Sequence, residues 1–173
     1  PPRSTLFPYT TLFRSEIGGS ALTDSEMKIP ENSLHSKIVP STYVPFRNAT
    51  LLCAAVAWAE VISAERIYIG AVEEDSSGYP DCREIFFRAF ETVIATGSKT
   101  GTRISLKTPV INLSKAEIVN LGLQLKAPFE LSWSCYQSET EACGVCDSCR
   151  LRLNAFAKAG ISDPIPYKTT LGV

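Results

Sequence analysis

Four of the six cysteines fall in residues 133–153, WSCYQSETEACGVCDSCRLRL. Seven residues separate Cys135 from Cys143, and two separate Cys143 from Cys146 and Cys146 from Cys149. Three thiolates on a C-x-x-C-x-x-C run can converge on one ion, and the longer loop can return the fourth. Zn²⁺ takes four soft ligands at about 2.3 Å in a tetrahedron, and four cysteines leave no open position for a substrate. The expected chemistry is a structural Zn²⁺ site on Cys135, Cys143, Cys146 and Cys149, with turns at Gly144 and Asp147-Ser148 aiming backbone amides at the sulfurs. An iron–sulfur cluster also takes four cysteines, and a disulfide pair needs an oxidising compartment. Ligand type and closed geometry favour zinc.

Other side chains suit anions and flat rings. Arg47, beside Asn48, can neutralise a phosphate or fork onto a carboxylate, or it is a surface arginine near a helix start. Lys115 stands in a first helical turn, where free amides and the helix dipole favour anions. Asp75, Tyr79 and Asp81 share one loop. A tyrosine can stack on a purine-like base, and a carboxylate can accept from its amidine-like edge; an ordinary acidic loop is the plainer reading. Cys82 has no histidine nearby in sequence to act as a base, so it reads as structural. His35 reads as a solvated loop residue.

The elements that must position these groups follow from periodicity. Residues 16–36 are polar and turn-rich and read as a surface loop. Residues 38–44 carry β-branched side chains and end at Pro45, which predicts a short strand. Asn48 is placed to cap the helix that follows. Leu51, Leu52, Ala55, Val56, Ala59 and Ile62 share a face of it, with Cys53 read as a small buried hydrophobe. Residues 66–72, RIYIGAV, read as a buried parallel strand. A helix is expected over 81–96 and a strand over 103–107. Ser114 and Glu117 form a capping box for a helix closed by Gly122. A last helix spans 147–159. Alternation of strands and helices predicts an α/β fold with a parallel sheet, and ligands of open sheets gather at the carboxyl ends of strands.

At 173 residues, one domain with a small appendage is expected. A net charge of −1 gives no electrostatic case for nucleic acid, and no apolar run approaches the roughly 18 residues of a membrane span. The cysteine content without a signal segment points to the cytoplasm. Residues 1–15, PPRSTLFPYTTLFRS, agree codon for codon with the translation of a synthetic sequencing adapter, so they are set apart from the fold. The division expected is 1–15 adapter-derived, 16–128 an α/β domain, and 129–173 a zinc-binding subdomain.

The run from Ser134 to Tyr167, SCYQSETEACGVCDSCRLRLNAFAKAGISDPIPY, resembles the C-terminal signature of the 7-cyano-7-deazaguanine synthase family. IGGSALTD at 17–24, VPFRN at 44–48, SGYPDCR at 77–83 and LSKAEI at 113–118 resemble the same family, in order. The resemblance implies an adenine-nucleotide alpha-hydrolase-like domain with a helical zinc-binding C-terminal subdomain, and makes 16–128 a partial nucleotide- and substrate-binding domain. It implies ATP-dependent conversion of 7-carboxy-7-deazaguanine and ammonia to the nitrile, with Mg²⁺ on the ATP and a homodimer as the assembly. Arg47, Asn48 and Lys115 become expected ATP-binding residues, and Asp75, Tyr79 and Asp81 expected substrate-binding ones; no catalytic residue is singled out. Family members begin with a strand and an SGGxDS-type loop that grips the ATP pyrophosphate. That loop is not in this sequence, so the 173-residue chain is expected to be inactive alone. The alternatives are a noncatalytic zinc-stabilised binding module and another amidating or thiolating ATPase of the same superfamily.

Overall fold

The computed structural model describes residues 17–24, 26–31, 38–73 and 78–168. The segment 1–15, His35 and Asp75 lie outside the described residues. The elements are α1 (Arg47–Ile62), β1 (Arg66–Tyr68), a 3₁₀ turn (Pro80–Cys82), α2 (Glu84–Gly97), β2 (Ser105–Lys107), α3 (Lys115–Gln124), a second 3₁₀ turn (Phe129–Leu131) and α4 (Asp147–Lys158). The fold is mixed α/β: β1 and β2 pair in parallel, with Arg66 opposite Ser105 and Tyr68 opposite Lys107. Parallel neighbours need a crossover, and α2 supplies it.

The main core lies where α1 and α2 pack on this sheet. Phe87, Phe90 and Ile94 recur at helical spacing along α2 and meet Ala49 and Leu52 of α1 and Leu106 of β2. Each such side chain contributes about 1.5–3 kcal/mol by leaving water. A second cluster joins α3 to α4 through Val119, Ala155 and Phe156, with Phe129 packed against it. A third gathers the cysteines with Ala142 and Ile165.

Several expectations are corrected. Residues 38–44 form turns, not a strand: Pro40 and Pro45 lack donors for a ladder, and the Tyr43 N–H bonds the Pro40 carbonyl at 2.9 Å. The 17–24 stretch is not wholly surface, since Ser20 is fully buried and the Ala21 N–H donates to the Ser41 carbonyl at 2.8 Å. Cys53 is exposed. Its helix is apolar on every side, with Leu51, Trp58 and Ile62 also exposed, so period alone could not say which face turns inward. Strand β1 stops at Tyr68, short of Val72, although the Ile69 N–H still reaches the Lys107 carbonyl at 3.0 Å. Gly122 does not close its helix. It lies inside α3, which runs on to Gln124, and the Phe129 ring rests on it.

The capping box of α3 is present: Glu117 N–H donates to Ser114 Oγ at 3.3 Å, and the Ser114 N–H donates to the Glu117 carboxylate at 2.8 Å. Asn48 is not the cap of α1, which begins one residue earlier, after Phe46 in the left-handed region at φ 54°. Asp81 takes that role from a distance. Its carboxylate accepts the Asn48 N–H at 2.9 Å, and the Asn48 amide donates to the Asp81 carbonyl at 2.8 Å.

Candidate functional site

The four cysteine sulfurs of the 133–153 stretch all lie within 4.8 Å of one another. Cys143 and Cys149 are 3.9 Å apart, close to the tetrahedron edge of about 3.8 Å that metal–sulfur bonds of 2.3 Å imply. Gly144, at φ 74°, turns the backbone between Cys143 and Cys146 in a way that suits glycine. The N–H groups of Gln137 and Cys143 point at the Cys135 sulfur, and that of Cys146 at the Cys143 sulfur, each at 3.4 Å. Burial pushes the Cys135 thiol up, but these donors outweigh it and bring the group down to about 7. Burial and the crowding of neighbouring thiols raise Cys149. One thiolate forms readily here, and four together call for a cation. The cluster can hold a metal ion.

Beside it lies a cleft of about 940 Å³, a size typical of small-ligand sites, which span roughly 300–1,000 Å³. Arg47 and Asn48 at the start of α1, Lys115 at the start of α3, and Tyr79 all line it. Four sequence-predicted residues are thus brought to one cavity. The segment after β1 (Ile69, Gly70, Ala71 and Val72) supplies an apolar wall, in keeping with the expected position at a strand's carboxyl end. Asp81 is elsewhere: it is 4% exposed, capping α1, and is not on the cleft wall. Tyr79 offers little ring face, being 9% exposed and 5.7 Å from the Tyr43 ring, and its hydroxyl is 2.7 Å from Thr42 Oγ1. Cys82 also lines the cleft. Burial raises its thiol and Asp81 adds to the rise, against the Asn48 amide, Arg47 and Lys115, so it remains a thiol.

The family model described as "Queuosine biosynthesis protein QueC" matches residues 8–160. The chain belongs to the QueC family. A 7-cyano-7-deazaguanine synthase of Chlorobium phaeobacteroides is 61% identical over 156 residues, covering 90% of this chain and 69% of the relative. The synthase of Chloroherpeton thalassium is 62% identical over 154 residues, covering 89% of this chain and 68% of its own length. That of Chlorobaculum tepidum is 58% identical over 157 residues, covering 91% and 69%. The relatives' names are those of an enzyme, and the QueC family is enzymatic. Among the described residues no helix is long and apolar enough to cross a membrane.

In this QueC-family chain the cleft also draws residues that the sequence did not mark as ligand contacts. Tyr136, Asp147, Ser148 and Arg152 come from the cysteine stretch, and Ser132 directly precedes it. Loss of solvent around the Tyr136 hydroxyl pushes it up to about 12; Tyr79 adds to the rise, while Arg47 and Ser148 oppose it. The residue as a whole keeps 38% of its surface exposed. The available signal was position. Tyr136 and Ser148 each adjoin a metal-type ligand, but spacing does not say which way such a side chain faces.

Arg152 anchors the far wall. Its guanidinium donates to both Asp163 oxygens at 2.6 and 2.8 Å, to Ser132 Oγ at 2.8 Å, and stacks 5.1 Å from the Phe156 ring centre. Burial opposes its charge, and the bonds to Asp163 more than restore it, so its pKa is raised.

Proposed function

We propose that this chain forms the substrate cleft and zinc-bearing segment of an ATP-dependent 7-cyano-7-deazaguanine synthase with an adenine-nucleotide alpha-hydrolase-like fold. The observation that carries the reading is the meeting of Arg47, Asn48, Lys115 and Tyr79 around one cleft beside the cysteine cluster, in a chain about 60% identical to proteins of that name.

In the reaction, the carboxylate of 7-carboxy-7-deazaguanine attacks the α-phosphorus of ATP, pyrophosphate leaves, and an acyl adenylate forms. Ammonia adds to the acyl carbon and expels AMP, giving the amide. A second ATP adenylates the amide oxygen with release of pyrophosphate, and loss of AMP with two protons leaves the nitrile. Each activation converts a poor leaving oxygen into AMP, so no protein nucleophile is needed, and Cys82 as a buried thiol is not required to be one. The protein's part is charge and position. Arg47 and Lys115 stand at helix starts, where cations and free amides together suit phosphate oxygens. The apolar wall at Ile69–Val72 suits a flat ring.

Zn²⁺ on Cys135, Cys143, Cys146 and Cys149 would hold the segment that closes the cleft, with no coordination position left for chemistry. Mg²⁺ would arrive on the ATP phosphates, and Asp147 is the carboxylate on the described cleft wall. A homodimer belongs to the same proposal; exposed Trp58, Val61 and Ile62 on α1 offer an apolar surface for it.

The test joins this chain to the part of the Chlorobium phaeobacteroides synthase that lies outside the match. Supplied with ATP, ammonia and 7-carboxy-7-deazaguanine, the protein should yield the nitrile, followed by mass spectrometry. Lys115→Ala should raise the KM for ATP by about ten- to hundredfold, the weight of one charge-assisted contact. A chimera that folds, holds zinc and makes no nitrile would refute the proposal and leave a zinc-stabilised binding module.

A further inference from the structure

Hydroxyl side chains line the cleft, Thr42, Tyr79, Tyr136 and Ser148 among them. Thr42 Oγ1 lies 2.7 Å from the Tyr79 hydroxyl in a buried contact. Thr42 and Tyr79 come from the loops before α1 and α2. The other two come from the cysteine stretch, Tyr136 directly after Cys135 and Ser148 directly before Cys149.

The loop bearing Tyr136 is held firmly. The Trp133 indole N–H donates to the Ser138 carbonyl at 2.9 Å across its base. The Gln137 N–H points at the Cys135 sulfur at 3.4 Å. Ser148 is likewise fixed in the first turn of α4, between two cysteines of the cluster. Of the two phenols on the cleft wall, Tyr79 is closed off at 9% exposure and bonded to Thr42, whereas Tyr136 offers 38% of its surface.

We infer that Tyr136 and Ser148 are ligand-contacting residues that read the polar edge of the heterocycle, and that the metal site serves the cleft by presenting them. This rests on the functional reading above. A hydroxyl both donates and accepts, which suits a guanine-like edge where donors and acceptors alternate. Arg47 and Lys115 can only donate and are suited to the anionic ligand. The cleft is thereby divided, with hydroxyls for the base and cations for the phosphates.

The experiment is calorimetric titration of the zinc-loaded chain with 7-cyano-7-deazaguanine and, separately, with ATP, alongside zinc content. Tyr136→Phe and Ser148→Ala should each weaken the deazaguanine by roughly three- to tenfold, the weight of one neutral hydrogen bond. ATP affinity should not move, and zinc should stay near one per chain. Unchanged deazaguanine affinity in both zinc-loaded variants would overturn the inference, as would equal losses for both ligands. Loss of zinc along with the base would also overturn it, by making Tyr136 a prop for the metal loop. A wild-type chain that takes up zinc but has no affinity for the deazaguanine would strike at the functional reading itself, and that arm is read before any variant.

Discussion

The carboxylate of Asp81 accepts the backbone N–H of Asn48 at 2.9 Å, across 33 positions of sequence. The two residues are tied again through the Asn48 amide and the Asp81 carbonyl, and that amide also reaches the Cys82 sulfur at 3.3 Å. All three residues are buried. The bonds lock the loop before α2 to the start of α1, which holds Arg47 at the cleft and satisfies an otherwise orphaned helix donor.

Asp81→Ala should therefore act on stability first. It removes a cap and leaves a buried N–H without its acceptor, at a cost of about 1–3 kcal/mol. Urea denaturation should show the loss. Deazaguanine affinity, measured well below the melting transition, should fall far less than in Tyr136→Phe. A variant of native stability that lost only base affinity would return Asp81 to the substrate contacts expected from its loop.

What could be read from the sequence was what is local along the chain. The Ser114–Glu117 box and the four cysteines declare themselves because their partners lie three to eight residues away. That Arg47 and Lys115 stand at helix starts was legible for the same reason. The tie of Asp81 to Asn48 was not legible from its loop, because the partner is 33 positions distant. The 38–44 segment has strand-like side chains, but Pro40 within it and Pro45 after it withhold donors a strand needs. The facing of Tyr136 depends on how the cysteine loop closes, which no spacing encodes.

Gly122→Ala should be destabilising although alanine is the better helix former. A Cβ built at Gly122 would lie 2.8 Å from Phe129 Cε2, inside contact distance. The ring is held by Phe156, 5.2 Å away edge to face, so it cannot simply swing aside. Overpacking of this kind costs about 1–3 kcal/mol. Pairing it with Phe129→Leu should recover part of the loss; equal melting temperatures for wild type and Gly122→Ala would mean the ring yields freely.

The ion pair of Arg152 and Asp163 is buried, with side chains 9% and 1% exposed. Removing one partner strands the other charge, so Asp163→Asn should cost about 3–5 kcal/mol. The pH dependence follows from the same contacts. Burial works against the Asp163 charge, but bonds from Arg152 and Tyr167 prevail and hold its pKa below the ordinary value of 3.8. A depressed carboxylate stabilises the fold above its unfolded pKa, and that stability is lost as pH falls through the lower folded value. Denaturation midpoints should therefore drop below about pH 4 in wild type, and the drop should be shallower in Asp163→Asn.

Removing the metal tests the cysteine segment as a whole. Ala142 and Cys146 have no exposed surface and Cys149 has 1%, yet besides the cysteines the buried residues of the cluster are Ala142 and Ile165, with Ile29 and Tyr167 packed against them. So small a core cannot order the segment by burial alone, and ligand bonds must carry the difference. Elemental analysis should give about one zinc per chain, with Cys146→Ser losing it. The tail should loosen with it, because the Ala142 N–H donates to the Pro166 carbonyl and the Lys168 N–H to the Ala142 carbonyl, both at 2.9 Å. Hydrogen exchange at Ala142 and Lys168 should accelerate in Cys146→Ser, while the amides of α2, in a separate core, stay protected. Stoichiometric iron with visible absorbance would replace zinc with a cluster, and unchanged protection at both amides would mean the segment holds without any metal.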